Sequence, residues 1–79
     1  MSTDLRFEKK AALEAGMEMT HMEVEERMHE CIRVPGMDLW SQSICFDDKC
    51  FSVRASKWGP DYIPFTNFLR ENGIPWEEW

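Results

Sequence analysis

Three cysteines and two histidines are the residues of this chain best suited to hold a metal or act as nucleophiles: Cys31, Cys45, Cys50, His21 and His29. Thiolate and imidazole are the usual ligands of tetrahedral zinc. If Cys45 and Cys50 oppose one another across a hairpin, their Cβ atoms stand about 4.5–5.5 Å apart, close enough to share an ion. A zinc set would then be Cys31, Cys45, Cys50 and His29, in a small zinc-stabilised structural domain. The spacing argues against it. No Cys-x-x-Cys occurs, Cys45-x4-Cys50 lacks the glycines of a knuckle, and His29 and Cys31 lie on different faces of a helix. Buried cysteines acting as small hydrophobes are the plainer reading. A Cys45–Cys50 disulfide is a third reading, disfavoured in a reducing cytoplasm. No cofactor is expected.

Catalytic chemistry finds less support. His21-x-Glu23 has the His-x-Glu spacing of zinc deaminases, but no Pro-Cys-x-x-Cys follows it. A minimal enzyme pairing Cys31 or Cys45 with a histidine ranks last, because such pairs can be drawn in many combinations. His21 falls on an apolar seam and reads as a packed or interface residue. A 79-residue chain buries one small core and leaves little room for a cleft of about 300–1,000 Å³. The chain is not expected to be an enzyme.

Charge is the stronger signal. The net charge is −6, and residues 14–30 hold Glu14, Glu18, Glu23, Glu25, Glu26 and Glu30 against Arg27 alone. Acidic residues outnumber basic ones, 15 to 9, which argues against direct binding of nucleic acid or of an anionic membrane. On a helix, glutamates four apart stand about 5–6 Å from one another. That approaches the phosphate spacing of a nucleic-acid strand, so an acidic helix can occupy a basic groove. An ordinary solvated helix face is the plainer account.

The elements that would position these groups divide the chain unevenly. All six methionines lie in residues 1–37, and nine of the ten aromatics in residues 40–79. Residues 3–15 contain good helix formers, with Thr3 or Asp4 as cap. Gly16 either ends that helix or interrupts a longer one. Thr20-x-x-Glu23 fits a capping box, and Met17, His21, Val24, Met28 and Cys31 follow helical spacings of 4, 3, 4 and 3. Met17, Met19 and His21 also alternate with Glu18 and Thr20, so 17–24 has a strand reading. Glu25-Glu26-Arg27 is poor strand material and weighs against it. Val34-Pro35-Gly36 makes a turn.

Two strand-like runs flank Asp47-Asp48. They predict a hairpin pairing Phe46 with Lys49, Cys45 with Cys50, Ile44 with Phe51 and Gln42 with Val53. Trp40, Ile44, Phe46, Phe51 and Val53 then share the oily face. A three-residue loop would set Ile44 opposite Ser52 and spoil that segregation. Pro64 to Asn72 reads as a helix stopped by Gly73, with Ile74 reaching back to Leu69. Trp40 and one of Trp58 or Trp76 are expected in the core.

The expected fold is α+β. It has an N-terminal helix or helix pair, a central β-hairpin (about 39–55), a short C-terminal helix (about 64–72) and a single small core. One domain, 1–79, would contain an acidic Met-containing helical part (1–34) and an aromatic hairpin-helix part (37–79). The stretch MSTDLRFEKK is polar, no run approaches about 20 apolar residues, and the cysteine count is odd; together these favour the cytoplasm. Methionines offer adaptable contacts, and tryptophan is enriched at interface hot spots. The expected function is a small acidic protein-binding module, of the inhibitor or adaptor kind that some viruses encode. It would occupy a basic, nucleic-acid-binding surface of a partner protein through Glu14, Glu18, Glu23, Glu25, Glu26, Glu30, Met19, Met22 and Trp79. A homodimer through the methionine face is compatible with the same residues.

Overall fold

Leu5 and Phe7 alternate with Asp4, Arg6 and Glu8, and that period of two makes Ser2–Glu8 a strand, β1. The computed structural model describes residues 2–45 and 47–79. The helix α1 begins only at Lys9 and runs Lys9–Glu14. Gly16 ends it at φ +109°, with Gly16 N–H donating to Leu13 and Met17 N–H to Ala12, a Schellman closure. The expected helix over 3–15 is therefore wrong for its first half. Leu5 and Phe7 are both buried, and burying two residues spaced by two on one side requires an extended chain.

The second expected helix is also absent. Glu18–Val24 (β2) and Arg27–Arg33 (β3) form an antiparallel hairpin, from Glu18–Arg33 to Val24–Arg27. The 4-3-4-3 spacing loses to alternation because Met19 and Ile32, directly opposed, reach the core together. Glu25-Glu26, which weighs against a strand, is the turn rather than the strand. Both residues have positive φ, +53° and +67°, as a two-residue type I′ loop demands. Thr20 and Glu23 lie on opposite faces of β2 and cap nothing.

A turn follows, with Met37 N–H donating to Val34 and Gly36 at φ +96°. Ser41–Gln42 (β4) then adds to β3. The expected 39–55 hairpin does not form. Cys50–Ser56 (β5) pairs along its length with β1 instead, Phe51 against Phe7 and Val53 against Leu5. Leu5 is a far oilier partner for Val53 than Gln42 would be, and Phe7 meets Phe51 ring to ring where the hairpin would offer Ile44. What joins β4 to β5 is a single bridge, Ser43–Val53, with Ile44 N–H donating to Ser52. This is the Ile44–Ser52 register that oily-face segregation disfavours. The expected pairing of Phe46 with Lys49 lies outside the described residues.

Tyr62–Glu71 (α2) carries Pro64 in its first turn. Gly73 stops it, with Ile74 N–H donating to Leu69. Trp76–Glu78 (β6) returns along the free side of β1. The result is mostly β, two three-stranded antiparallel sheets ordered β5-β1-β6 and β2-β3-β4, with two short helices. One core joins them. Leu5, Phe7, Phe51 and Val53 face Phe65 and Leu69 of α2, and Ile32 enters from the second sheet. Phe7 meets Phe51 edge-on at 6.0 Å and Phe65 at 6.5 Å.

Non-glycine residues in the left-handed region cost roughly 1–2 kcal/mol each. Replacing Glu25-Glu26 by Asn-Gly should therefore stabilise the protein by about 1–2 kcal/mol. Urea unfolding should show a higher midpoint at an unchanged slope.

Candidate functional site

The hairpin leaves the body of the protein at its turn. Residues 21–28 are all exposed, although the β2–β3 pairing continues to Val24–Arg27. Opposed residues share a face, so the faces can be read from the register. Met22, Val24, Arg27 and His29 lie on one face; His21, Glu23, Met28 and Glu30 lie on the other.

The six glutamates divide into two groups. At the base of the hairpin, Glu18 receives Arg33 through two bonds of 3.2 and 3.4 Å. Glu30 is bonded by Lys9 Nζ at 2.6 Å, with His21 Nε2 at 3.8 Å. Glu23, Glu25 and Glu26 crowd the tip, and none of the three is ion-paired with another described residue. Glu14 sits exposed at the end of α1. Of the expected binding residues, then, Glu23, Glu25, Glu26 and Met22 come together. Glu18 and Glu30 are neutralised, and Met19 packs against the core. Trp79 lies just past the end of β6, beside the other sheet. Its backbone exchanges hydrogen bonds with Asp4, the Arg6 guanidinium lies 5.3 Å from its ring, and its indole N–H donates to Glu77.

Sequence reasoning missed the hollow beside the hairpin. Met22, Val24, Leu39 and Trp40 border a depression of about 310 Å³ with Cys31 among its lining residues. Trp40 is not in the core; it lies under the Arg33 guanidinium at 4.3 Å. Trp58 is also outside the core, 70% exposed at φ +64°, its ring tilted 56° against that of Tyr62 at 5.3 Å. Trp58 takes this left-handed conformation where the Ser56–Gly59 turn closes tightly. A Cβ on Gly59 would lie 2.9 Å from the Ser56 carbonyl oxygen. The Trp-Gly-Pro sequence carried the signal for that turn, but nothing marked its tryptophan as exposed.

The zinc candidates are not gathered into one site. Cys45 and Cys50 are joined as a disulfide, and His29 Nδ1 is engaged by Gln42 at 3.0 Å. Among the described residues no three His, Cys, Asp or Glu side chains surround a common point. Burial raises the pKa of the Cys31 thiol, the wrong direction for a nucleophile. Cys31 also faces away from His21 across the hairpin.

The most connected carboxylate is structural. Glu78 accepts from Tyr62 Oη at 2.7 Å and Trp76 Nε1 at 3.3 Å, with Lys57 Nζ at 3.6 Å. It ties α2, β6 and the turn after β5 together. Its pKa is lowered, first by the tyrosine hydroxyl, then by the indole, with Lys57 adding to both.

A scan against protein-family models finds no match, and searches of curated proteins and of solved structures find none either.

Two outcomes follow from these arrangements. A thiol titration in denaturant should count one free cysteine per chain before reduction and three after it. Because the folded pKa of Glu78 is depressed, its stabilisation is complete above the unfolded carboxylate range and fades as pH falls through the folded value. In Tyr62→Phe the Glu78 carboxyl, followed by 13C NMR, should titrate at higher pH. The stability of that variant should fall less steeply with acid than that of the parent.

Proposed function

We propose that this chain is a protein-binding module that docks through the tip of the β2–β3 hairpin onto a basic surface of a partner. The observation that carries the reading is the exposed stretch Met22–Met28. It holds three unpaired glutamates against one arginine, Arg27, and three exposed apolar side chains, Met22, Val24 and Met28, on a regular two-stranded support. A preformed hairpin presents side chains with less ordering cost on binding than an unpaired segment would. Carboxylates at its rim would speed and orient the approach to a basic partner. The net charge of −6 agrees with such a partner.

Inhibition of a nucleic-acid-binding surface remains the form of this reading that best uses the acidity. The support differs from the one the sequence suggested. A helical ladder of glutamates is gone, and the charge is concentrated at one turn. Cytoplasmic residence would rest on the odd cysteine count alone; the Cys45–Cys50 bond weighs against it, because cytosolic thiols are kept reduced. No helix among the described residues is long and apolar enough to cross a membrane.

The test is a charge reversal confined to the tip. Glu23, Glu25 and Glu26 are changed together to Lys; Glu30 is left alone, because its reversal would set two lysines against each other at Lys9. Binding to an affinity-isolated partner should weaken at least about tenfold, or ~1.4 kcal/mol, with the melting temperature little changed. Undiminished binding would remove the hairpin from the interface.

A further inference from the structure

β2 has a neighbour on one side only. In a two-residue hairpin the pair that closes the loop, here Val24–Arg27, exchanges hydrogen bonds, and bonded pairs then alternate down the ladder. The N–H and C=O groups of Met19, His21 and Glu23 therefore point away from β3. No backbone group of another described element reaches them. Natural edges are commonly blunted by lysine, proline or a bulge. The seven residues of β2 contain neither lysine nor proline, and their register with β3 is unbroken. Of the other sheet's two edges, β6 is only three residues long and β5 is met on its outer side by the Ser43–Val53 bridge and the Ile44–Ser52 bond.

We propose that the β2 edge accepts an extended segment of a partner protein as an added strand, and that this segment alternates basic with apolar residues. The inference rests on the docking reading above and states its mode. Added strands gain affinity from main-chain hydrogen bonds and specificity from alternate side chains. On one face the incoming strand would pass His21 and the unpaired Glu23; basic side chains suit that face. On the other it would pass Met22 and Val24, continuous with Leu39 and Trp40; apolar side chains suit that one. A second copy of this chain suits the edge poorly. Antiparallel pairing of β2 with itself about His21 would set Val24 of each copy opposite Glu18 of the other, an apolar side chain against a carboxylate, between molecules of charge −6.

The probe is the blocked heptapeptide Lys-Val-Lys-Val-Lys-Val-Lys, titrated into 15N-labelled protein. Saturable shifts are expected. Amide exchange at Met19, His21 and Glu23 should slow at least about tenfold, with Thr20 and Met22, already bonded to β3, changing less. His21→Pro deletes the central outward N–H at a position where an edge strand tolerates proline, and should cost at least about tenfold in affinity. A peptide N-methylated at the residues facing the edge gives the same information without altering the protein. Failure of the heptapeptide to bind, or equal binding of the N-methylated peptide, overturns strand addition. If His21→Pro binds normally while the triple reversal at the tip does not, strand addition falls and hairpin docking stands. If the triple reversal also binds normally, both fall. A dimer in sedimentation equilibrium that His21→Pro dissolves would overturn the basic partner in favour of self-pairing.

Discussion

The burial of Leu5 and Phe7 is the constraint on which the rest of the fold depends. β1 is paired on both sides, with β5 along its whole length and with β6 over its second half. Its inner face is closed by α2. Fully burying a side chain of this size stabilises by roughly 1.5–3 kcal/mol, a large share of what a domain this small retains. A slip of one residue against β5 would turn both side chains outward. Two contacts oppose it: Phe7 against Phe51 on the inner face, and the Asp4–Arg54 ion pair at 3.0 Å on the outer face.

The hairpin is tethered to that body at its base and free at its tip. Ile32 and Met19 join the core, and the Lys9–Glu30 pair links β3 to the start of α1. The opposite charges near the base are used up in these attachments. Beyond them only the cross-strand ladder supports the chain, so the carboxylates at the turn interact mainly with solvent. Exposed ion pairs contribute little to stability; here they matter for which carboxylates remain without partners.

The parts of this architecture legible in the sequence are those written locally. The Pro64 start and Gly73 stop of α2, the Pro35-Gly36 turn and the Lys9–Glu14 helix formers are of that kind. The alternation of Leu5 with Phe7 is also local, but Lys9 to Ala15 extend a helical pattern backwards over it. What was illegible is non-local. Nothing near β1 says that residues 50–56 and 76–78 will flank it, and without them β5 takes β4 as its natural partner. Glu25-Glu26 misled because a type I′ loop favours Asn-Gly, and two glutamates there resemble a helix more than a turn. The candidate site was half legible for the same reason. Glu18 and Glu30 look like Glu23 and Glu25 in sequence, and only the register, which sets Arg33 beside Glu18, and the fold, which sets Lys9 beside Glu30, distinguish them.

The double pairing of β1 also sets an order in time. The strand emerges before either partner during synthesis: its first neighbour, β5, is not made until roughly 2–8 seconds later at about 5–20 residues per second, and β6 comes later still. The β2–β3 hairpin, whose strands adjoin in sequence, can form within microseconds of emerging. The nascent chain thus carries its candidate recognition element, already shaped, ahead of its core. For those seconds Leu5 and Phe7 stay open to solvent, and to whatever chaperone binds exposed apolar strands.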